Sequence, residues 1–346
     1  MGLDDQVAHP FAERIPQPAE AIKVAQGVWW IRMPLPFALD HINLWLLEDG
    51  DGWTLVDTGY GVEATWALWE KHFSGVMGGR PVKNVVVTHY HPDHVGSAAW
   101  LLQRTGAPLW MTTSEYLSAH AAHDDAAGFD RATTLDFFAA NGLDTSGIPE
   151  AARKANGYVR GVPEVPRSYR RLMHGDRIPV GEREWEVITV SGHAPEHAAL
   201  WCASLNVLIS GDQVLPRITT NVGVYGSQPE SNPLELFLNS FDRFAAVRAD
   251  ALVLPSHDRV FRGLHTRTAE LREHHARRLE RLLEGCAEPI TAFQALPLLF
   301  KRKLDEHQMA FAMGESIAHL HYLQFQGKVK RIVDDKGVRR FVAMKG

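Results

Sequence analysis

Thr88-His89-Tyr90-His91-Pro92-Asp93-His94-Val95-Gly96 decides how the rest of this 346-residue chain is read. It follows Val85-Val86-Val87, a β-branched apolar run that predicts a buried strand. It precedes Ser97-Ala98-Ala99-Trp100-Leu101-Leu102-Gln103-Arg104, which predicts a helix with Ser97 as its cap. Three histidines and one aspartate thus crowd a strand end, where Pro92 forces a turn. His89 and His91, two apart on an extended segment, can face the same way, and Asp93 and His94 lie beyond the turn and can face a second point. Imidazole nitrogens and carboxylate oxygens are the donors that hold zinc and similar divalent ions. A polar loop of exposed histidines is the alternative, and the density of donors favours a metal centre.

Composition sets the frame. At 45% hydrophobic and 22% charged residues, the chain reads as a globular protein long enough for one large and one smaller domain. Cys202 and Cys286, neither in a CxxC, cannot build a disulfide framework and suit a reducing compartment. Met1 to Pro18 carries acids and prolines without an apolar core, so no secretory signal is read there. No apolar run approaches a membrane span, and a cytoplasmic enzyme is the expectation. The formal charge of −5 is uneven: residues 1–258 hold 19 Lys+Arg and 31 Asp+Glu, a net −12, and residues 259–346 hold 17 and 10, a net +7. Such a split predicts two domains, and a basic tail raises the question of nucleic acid.

Along the chain, residues 1–20 read as an arm. Gly27–Arg32, Ile42–Leu47 and Trp53–Gly59 then read as an antiparallel meander with Asp-Gly turn chemistry, and Val62–Phe73 as a helix. Pro108–Met111 is a further strand. Residues 113–172 break the rhythm with helices expected over Glu115–His123, Phe129–Asn141 and Pro149–Tyr158, a natural lid or substrate pocket. His120 and His123 in that stretch read as solvated or capping residues rather than a metal pair. Strands resume at Arg177–Val180, Trp185–Val190, Ala198–Trp201 and Asn206–Ser210, and helix Pro233–Ala246 and strand Ala251–Pro255 complete a second meander. From about 266 the pattern is helical: His265–Gly285, then shorter helices at Pro289–Phe300, Asp305–Ala312 and Gly314–Gln326. The hairpin Val329–Val333 with Val338–Val342 follows, around Asp334-Asp335-Lys336-Gly337. Helices followed by a hairpin make a winged-helix pattern.

Further donors sit where later strands end: His193 and His197 after Val187–Val190, Asp212 after Leu208–Ser210, and His257 after Leu252–Pro255. Strand ends converge in space, so the candidate centre draws on several loops. At this point the chain resembles the metallo-β-lactamase superfamily. The match comprises HxHxDH (His89, His91, Asp93, His94), the Gly-His at His193, the Gly-Asp at Asp212, the late loop histidine His257, and the early strand-end Asp57. The resemblance covers roughly 20–265 and implies an α/β (α+β) fold, an αββα sandwich over 1–265 with a small winged-helix domain over 266–346. It implies that His89, His91 and His193 hold one metal, that Asp93, His94 and His257 hold a second, and that Asp212 bridges them. Asp57 and His197 would support these ligands from behind.

The resemblance further implies a dinuclear hydrolase, with two divalent ions, most simply zinc with manganese or iron as alternatives, roughly 3.5–4 Å apart. A shared hydroxide, oriented by Asp93, would attack a small ester, thioester or lactone. Asp212 stands where lactamases of this fold carry Cys or Ser. Gln213-Val214-Leu215-Pro216 replaces the tyrosine that quorum-signal lactonases place after the bridging aspartate, and Tyr225 comes too late to match it. The 44 residues between Asp212 and His257 are too few for the extra domain of the nucleic-acid-processing branch. A glutathione-binding cluster, as in glyoxalase-II-like thioesterases, is not found. The tail is similar to that of the lactamase-β-2-like branch, some members of which cut single-stranded RNA, so an RNA phosphodiesterase is the alternative. Gly314–Gln326, the expected recognition helix, holds Glu315, His319 and His321 but no Lys or Arg; the basic residues gather in the wing and at 301–303. Apolar pocket walls are expected from the 113–172 insertion and from Trp29, Trp30 and Trp110. A small-molecule substrate, no membrane and a homodimer are the expectations for partners.

Overall fold

The computed structural model describes residues 7–344 apart from 13, 127 and 302, so Arg302 of the basic run and the first six residues of the arm lie outside the described residues. Strands β1 (Ile22–Ala25), β2 (Val28–Pro34), β3 (His41–Asp49) and β4 (Gly52–Val56) form an antiparallel meander. Helix α1 (Glu63–Ser74) carries the chain across so that β5 (Val82–Val86) lies parallel to β4. Helices α2 (Pro92–Val95) and α3 (Ala98–Thr105) lead to β6 (Leu109–Thr112), parallel to β5. The insertion contributes α4 (Thr113–His123), α5 (Arg131–Ala140) and α6 (Glu150–Arg153), and β7 (Arg170–Leu172) then closes a seven-stranded sheet. The second sheet has six strands: β8 (Arg177–Val180), β9 (Arg183–Val190), β10 (His197–Cys202), β11 (Val207–Gly211), β12 (Leu252–Pro255) and β13 (Phe261–Arg262). Helix α7 (Pro233–Ser240) precedes β12. The tail adds α8 (Leu264–Gly285), α9 (Ala292–Leu299), α10 (Glu306–Phe325) and the hairpin β14 (Val329–Val333) with β15 (Arg339–Ala343).

The layers follow from alternation along the strands. In β3 successive side chains point to opposite faces, so Leu44 and Leu46 pack under helices while Trp45 and Leu47 meet the other sheet. Trp30, Trp45, Val56 and Val86 of the first sheet close on Trp185, Val187, Leu200 and Leu254 of the second. The outer face of the first sheet is covered by α1, α3 and α4 through Trp69, Leu101 and Tyr116. The outer face of the second is covered by α5, α7 and the tail through Phe138, Phe237, Leu271 and Ile317. The result is a mixed α/β fold in four layers, αββα, as the resemblance implied.

Four local expectations need correction. The second half is not a simple meander, because β12 runs parallel to β11 and is reached through residues 212–232 and α7. The helix expected over Pro149–Tyr158 is only the single turn α6, followed by a short 3₁₀ turn at Tyr158–Arg160. Ser97 precedes α3, but its hydroxyl donates to the Tyr60 carbonyl and caps nothing. Gly314 does not break the tail into two helices: it lies inside α10, where a Cβ would come within 3.0 Å of the Tyr225 ring. That glycine marks a close approach between elements, a reading its sequence context does not distinguish from a stop.

His72 on α1 is buried against the Trp69 ring, and neither ring nitrogen has a hydrogen-bond partner among the described residues. Burial pushes it down to about 4. Above the unfolded value of about 6.5 neither state binds the proton; below it the unfolded chain protonates first, so stability is lost as pH falls from about 6.5 to 4. The full loss amounts to about 3 kcal/mol. His72→Phe should remove this slope in urea titrations across that range; parallel slopes in the two proteins would refute the assignment.

Candidate metal centre

The chain leaves β5 at Val86 and bends through Thr88 and Tyr90 to His91, which enters α2 at φ −61° and ψ 149° with Pro92 as the first helical residue. Proline suits that position because its fixed φ is helical and its missing N–H has no partner to lose. The single turn brings Asp93 and His94 back toward the strand end, and Thr58 Oγ1 donates to the His94 carbonyl at 2.6 Å to hold it. Four further strand ends then close on this loop, bringing Asp57, His193, Asp212 and His257.

The donors fall into two groups joined by one carboxylate. His89 Nε2 lies 2.9 Å from His91 Nδ1 and 3.2 Å from His193 Nε2. Asp93 Oδ2 lies 3.6 Å from His94 Nε2 and 3.4 Å from His257 Nε2. Asp212 divides its oxygens: Oδ2 is 3.4 Å from His193 Nε2, and Oδ1 is 3.6 Å from His94 Nε2 and 3.4 Å from His257 Nε2. Within the trios His89–His91–His193, His89–His94–Asp212 and Asp93–His94–His257, the donor atoms lie within 4.8 Å of one another. All seven residues expected as ligands are therefore brought together.

Groups behind them set which nitrogen faces inward. His193 Nδ1 donates to the Asn221 carbonyl at 2.7 Å and His257 Nδ1 to the His41 carbonyl at 2.9 Å. His94 Nδ1 donates to Asp57 Oδ2 at 2.9 Å. A carbonyl or carboxylate can only accept, so each Nδ1 carries the proton and each Nε2 presents a lone pair to the centre. Asp57 does this from a left-handed backbone, φ 61°, a strained setting for a non-glycine residue, and its other oxygen accepts from the Thr88 N–H at 2.8 Å.

The electrostatics fit a divalent cation. Burial, then the neighbouring His193, pushes His91 down to about 3, and burial with the crowd of imidazoles holds His89 well below its ordinary value. Neutral imidazole is the form that ligates. Burial opposes charge on His257, but Asp212 and Asp93 outweigh it and raise the ring to about 10. The same carboxylates that favour a proton there favour a metal ion. Burial opposes ionisation of Asp93 too, yet His94 and His257 bring it down to about 2. His94 Nε2 and Asp212 Oδ1 are buried without a hydrogen-bond partner among the described residues. Such orphaned atoms cost about 1–3 kcal/mol each unless something satisfies them, and an ion between the two groups would.

His197 lies beside the centre, its Nε2 accepting from the Asp212 N–H at 3.2 Å, with burial pushing it down to about 3. It touches the backbone of a donor rather than joining the donor set. Gly211, at φ 55°, permits this, since a Cβ would fall 2.1 Å from that nitrogen. The sequence reading missed Glu115, buried on α4, whose carboxylate accepts from the Tyr90 N–H at 3.0 Å and the Glu196 N–H at 2.6 Å. It ties the His89–His94 loop to the His193 loop, and burial raises it to about 7. A lone acid in the first turn of a helix carries no local sign of this role. His120 and His123 stay out of the centre, near the Pro166 and Pro163 carbonyls. The tryptophans do not wall it either: Trp30 is buried between the sheets, and Trp29 and Trp110 donate to Glu48 and Asn84.

With the fold and the donor set in hand, comparison with known proteins settles the class. The family described as metallo-beta-lactamase superfamily matches residues 38–257, and the family described as metallo-beta-lactamase-like, C-terminal domain, matches 279–344. The chain belongs to the metallo-β-lactamase superfamily and is a metal-dependent hydrolase. It is similar to a beta-lactamase domain protein from Burkholderia ambifaria, with 45% identity, 98% of each chain covered and a TM-score of 0.91. A metallo-beta-lactamase family protein from Thermus thermophilus is 28% identical, with 93% of this chain and 100% of that one covered and a TM-score of 0.77. A probable metallo-hydrolase, YqjP, of Bacillus subtilis (strain 168) is 25% identical over 85% of this chain and 91% of its own.

Removing the Asp57 carboxylate frees the His94 ring. Asp57→Ala should weaken metal binding about 10- to 100-fold in a chelator competition while the protein stays folded. Wild-type affinity in that variant would show that His94 needs no such support.

Proposed function

We propose that the protein hydrolyses a small ester, thioester or lactone with two divalent ions, zinc first and manganese or iron as alternatives, held by the seven residues above. The observation that carries the two-ion reading is the division of Asp212, one oxygen toward His193 and the other toward His94 and His257. When bound, such ions lower the pKa of water to about 7 and polarise the scissile carbonyl as Lewis acids. The protein's own part is to hold and orient. Asp93 is 18% exposed where His94 and His257 are 0% and 3%, so among these it alone keeps an open face from which to align the attacking water.

The surroundings favour an apolar substrate. Phe37 and Leu39 are exposed on the loop leading to His41, whose carbonyl holds His257, and Ile218 is exposed on the segment that carries Asp212. The insertion reaches the centre at Tyr90, whose ring meets Phe129 and Tyr158. The alternative, cleavage of single-stranded RNA by a winged-helix-guided enzyme, draws less support. Residues Ala312–His321 of α10 are buried without interruption, so most of the expected recognition helix is closed to a nucleic acid. In the wing, Arg331 and Arg339 face Glu230 and Arg340 faces Asp334. Phosphate contact needs cations not already paired.

Asp212→Ala should lower bound metal and turnover together, read by metal analysis beside an assay panel of thioester, aryl ester, lactone and single-stranded RNA, each with and without chelator. Unchanged turnover in metal-checked Asp212→Ala would remove the two-ion reading. Salt-sensitive RNA cleavage without esterase activity would put the alternative first.

A further inference from the structure

Between β11 and α7 the chain runs through residues 212–232 without helix or strand. A connection of that length inside a compact fold is uncommon and needs something to hold it. Two points of it matter to the centre: it begins at Asp212, and the Asn221 carbonyl midway along it receives the His193 Nδ1–H. Thr220 Oγ1 donates to the Asp212 carbonyl at 2.5 Å, which folds these two points into one turn of chain.

The contacts that fix this segment from outside come repeatedly from the tail. Arg267 on α8 is fully buried and donates through Nε to the Leu215 carbonyl at 2.7 Å and through Nη2 to the Ile218 carbonyl at 2.9 Å. Its remaining arm meets Glu270 at 3.1 Å. Successive turns of α10 continue the series. The Gly314 carbonyl accepts from the Val224 N–H at 3.1 Å, Gly314 admits the Tyr225 ring, and His321 Nδ1 donates to the Ser231 carbonyl at 2.9 Å. Arg331 on β14 holds Glu230 at 2.9 Å. A planar guanidinium suits the first of these tasks, since its fixed fork can reach two carbonyls at once where an ammonium on a flexible stem offers a point charge.

We propose that the tail is a clamp on the Asp212 segment and that Arg267 is its principal positioning residue, setting where Asp212 and His193 stand at the metal centre. Arg267 touches neither substrate nor ion; it acts through two carbonyls of the segment. The proposal rests on the reading of Asp212 and His193 as metal ligands, and the experiment separates the two.

Full-length wild type, Arg267→Lys, Arg267→Met and Arg272→Ala are stripped of metal and titrated with Co²⁺, whose visible spectrum reports its coordination. Amide hydrogen exchange is followed on the stripped proteins. Wild type should bind two Co²⁺. Both Arg267 variants should bind at least about tenfold more weakly with altered spectra, the range seen when the groups behind metal ligands are lost. Their exchange should rise over 213–224 and stay unchanged in the strands. Arg272→Ala removes an ion pair from the tail to Asp242, outside the segment, and should match wild type. Unchanged Co²⁺ binding and exchange in either folded Arg267 variant, or an equal effect in Arg272→Ala, would overturn the clamp while leaving the centre intact. Wild type that binds no Co²⁺ would remove the metal-centre reading itself. Should neither Arg267 variant fold, Gly314→Ala decides, since its methyl would press on the Tyr225 ring that reaches Asn221: tenfold weaker binding supports the clamp and unchanged binding overturns it.

Discussion

Seven donor side chains from four loops are crowded into one small volume, and the repulsion among the imidazoles clustered there is the constraint on which the structure turns. Imidazole nitrogens of His89, His91 and His193 lie 2.9 to 3.2 Å apart, with the outer nitrogen of His193 already committed to a carbonyl. Asp93 and Asp212 offset part of this beside His257, but the imidazoles of His89, His91 and His193 gain nothing from one another until a cation joins them. The framework therefore has to impose it, and rigid strand ends in a two-sheet core are a means of doing so. The core between the sheets, with Trp30, Trp45 and Trp185 fully buried, fixes the strands whose ends carry the donors.

Behind three of the donors, His94, His193 and His257, stands a group fixed by the framework. Asp57 accepts from both His94 and Thr88, and pays in backbone strain at φ 61°. The carbonyls of His41 and Asn221 belong to different segments, yet each fixes one ring. Glu115 reaches from the insertion to pin two loops by their N–H groups. This distribution explains why the insertion, which supplies no proposed ligand, still bears on the centre.

Much of this was legible in the sequence, and the boundary between what was and was not is physical. The HxHxDH run and the strand-end His193, Asp212 and His257 could be read because ligand chemistry admits few residue types and strand ends recur in a regular order. The αββα layering came with the resemblance those residues carry, and the strand and helix runs agreed with it. Glu115 could not be read, because a buried acid accepting two backbone N–H groups has the same local sequence as an exposed one. Gly314 was misread for a related reason: a glycine that ends a helix and a glycine that admits a neighbouring ring differ only in what lies across from them. The tryptophans misled because size and aromaticity suit a buried core as well as a pocket wall, and here the core between the sheets took Trp30.

The charge split between the two parts of the chain takes a different meaning once the contacts are known. A tail of +7 beside an acidic body of −12 suggests phosphate on composition alone. Yet Arg331 and Arg339 meet Glu230, Arg272 meets Asp242, and buried Arg278 meets Glu315 within the tail. The exposed pairs among these add little stability each, about 0–1 kcal/mol, so their number is poor evidence for strength. Their placement says more. Arg331 and Arg339 converge on one residue of the segment that begins at Asp212, and Arg267 grips the same segment nearer its start. Opposite charge across two packed parts sets register rather than affinity. On this view the basic tail complements the acidic body it covers, and the segment between them inherits its shape from both.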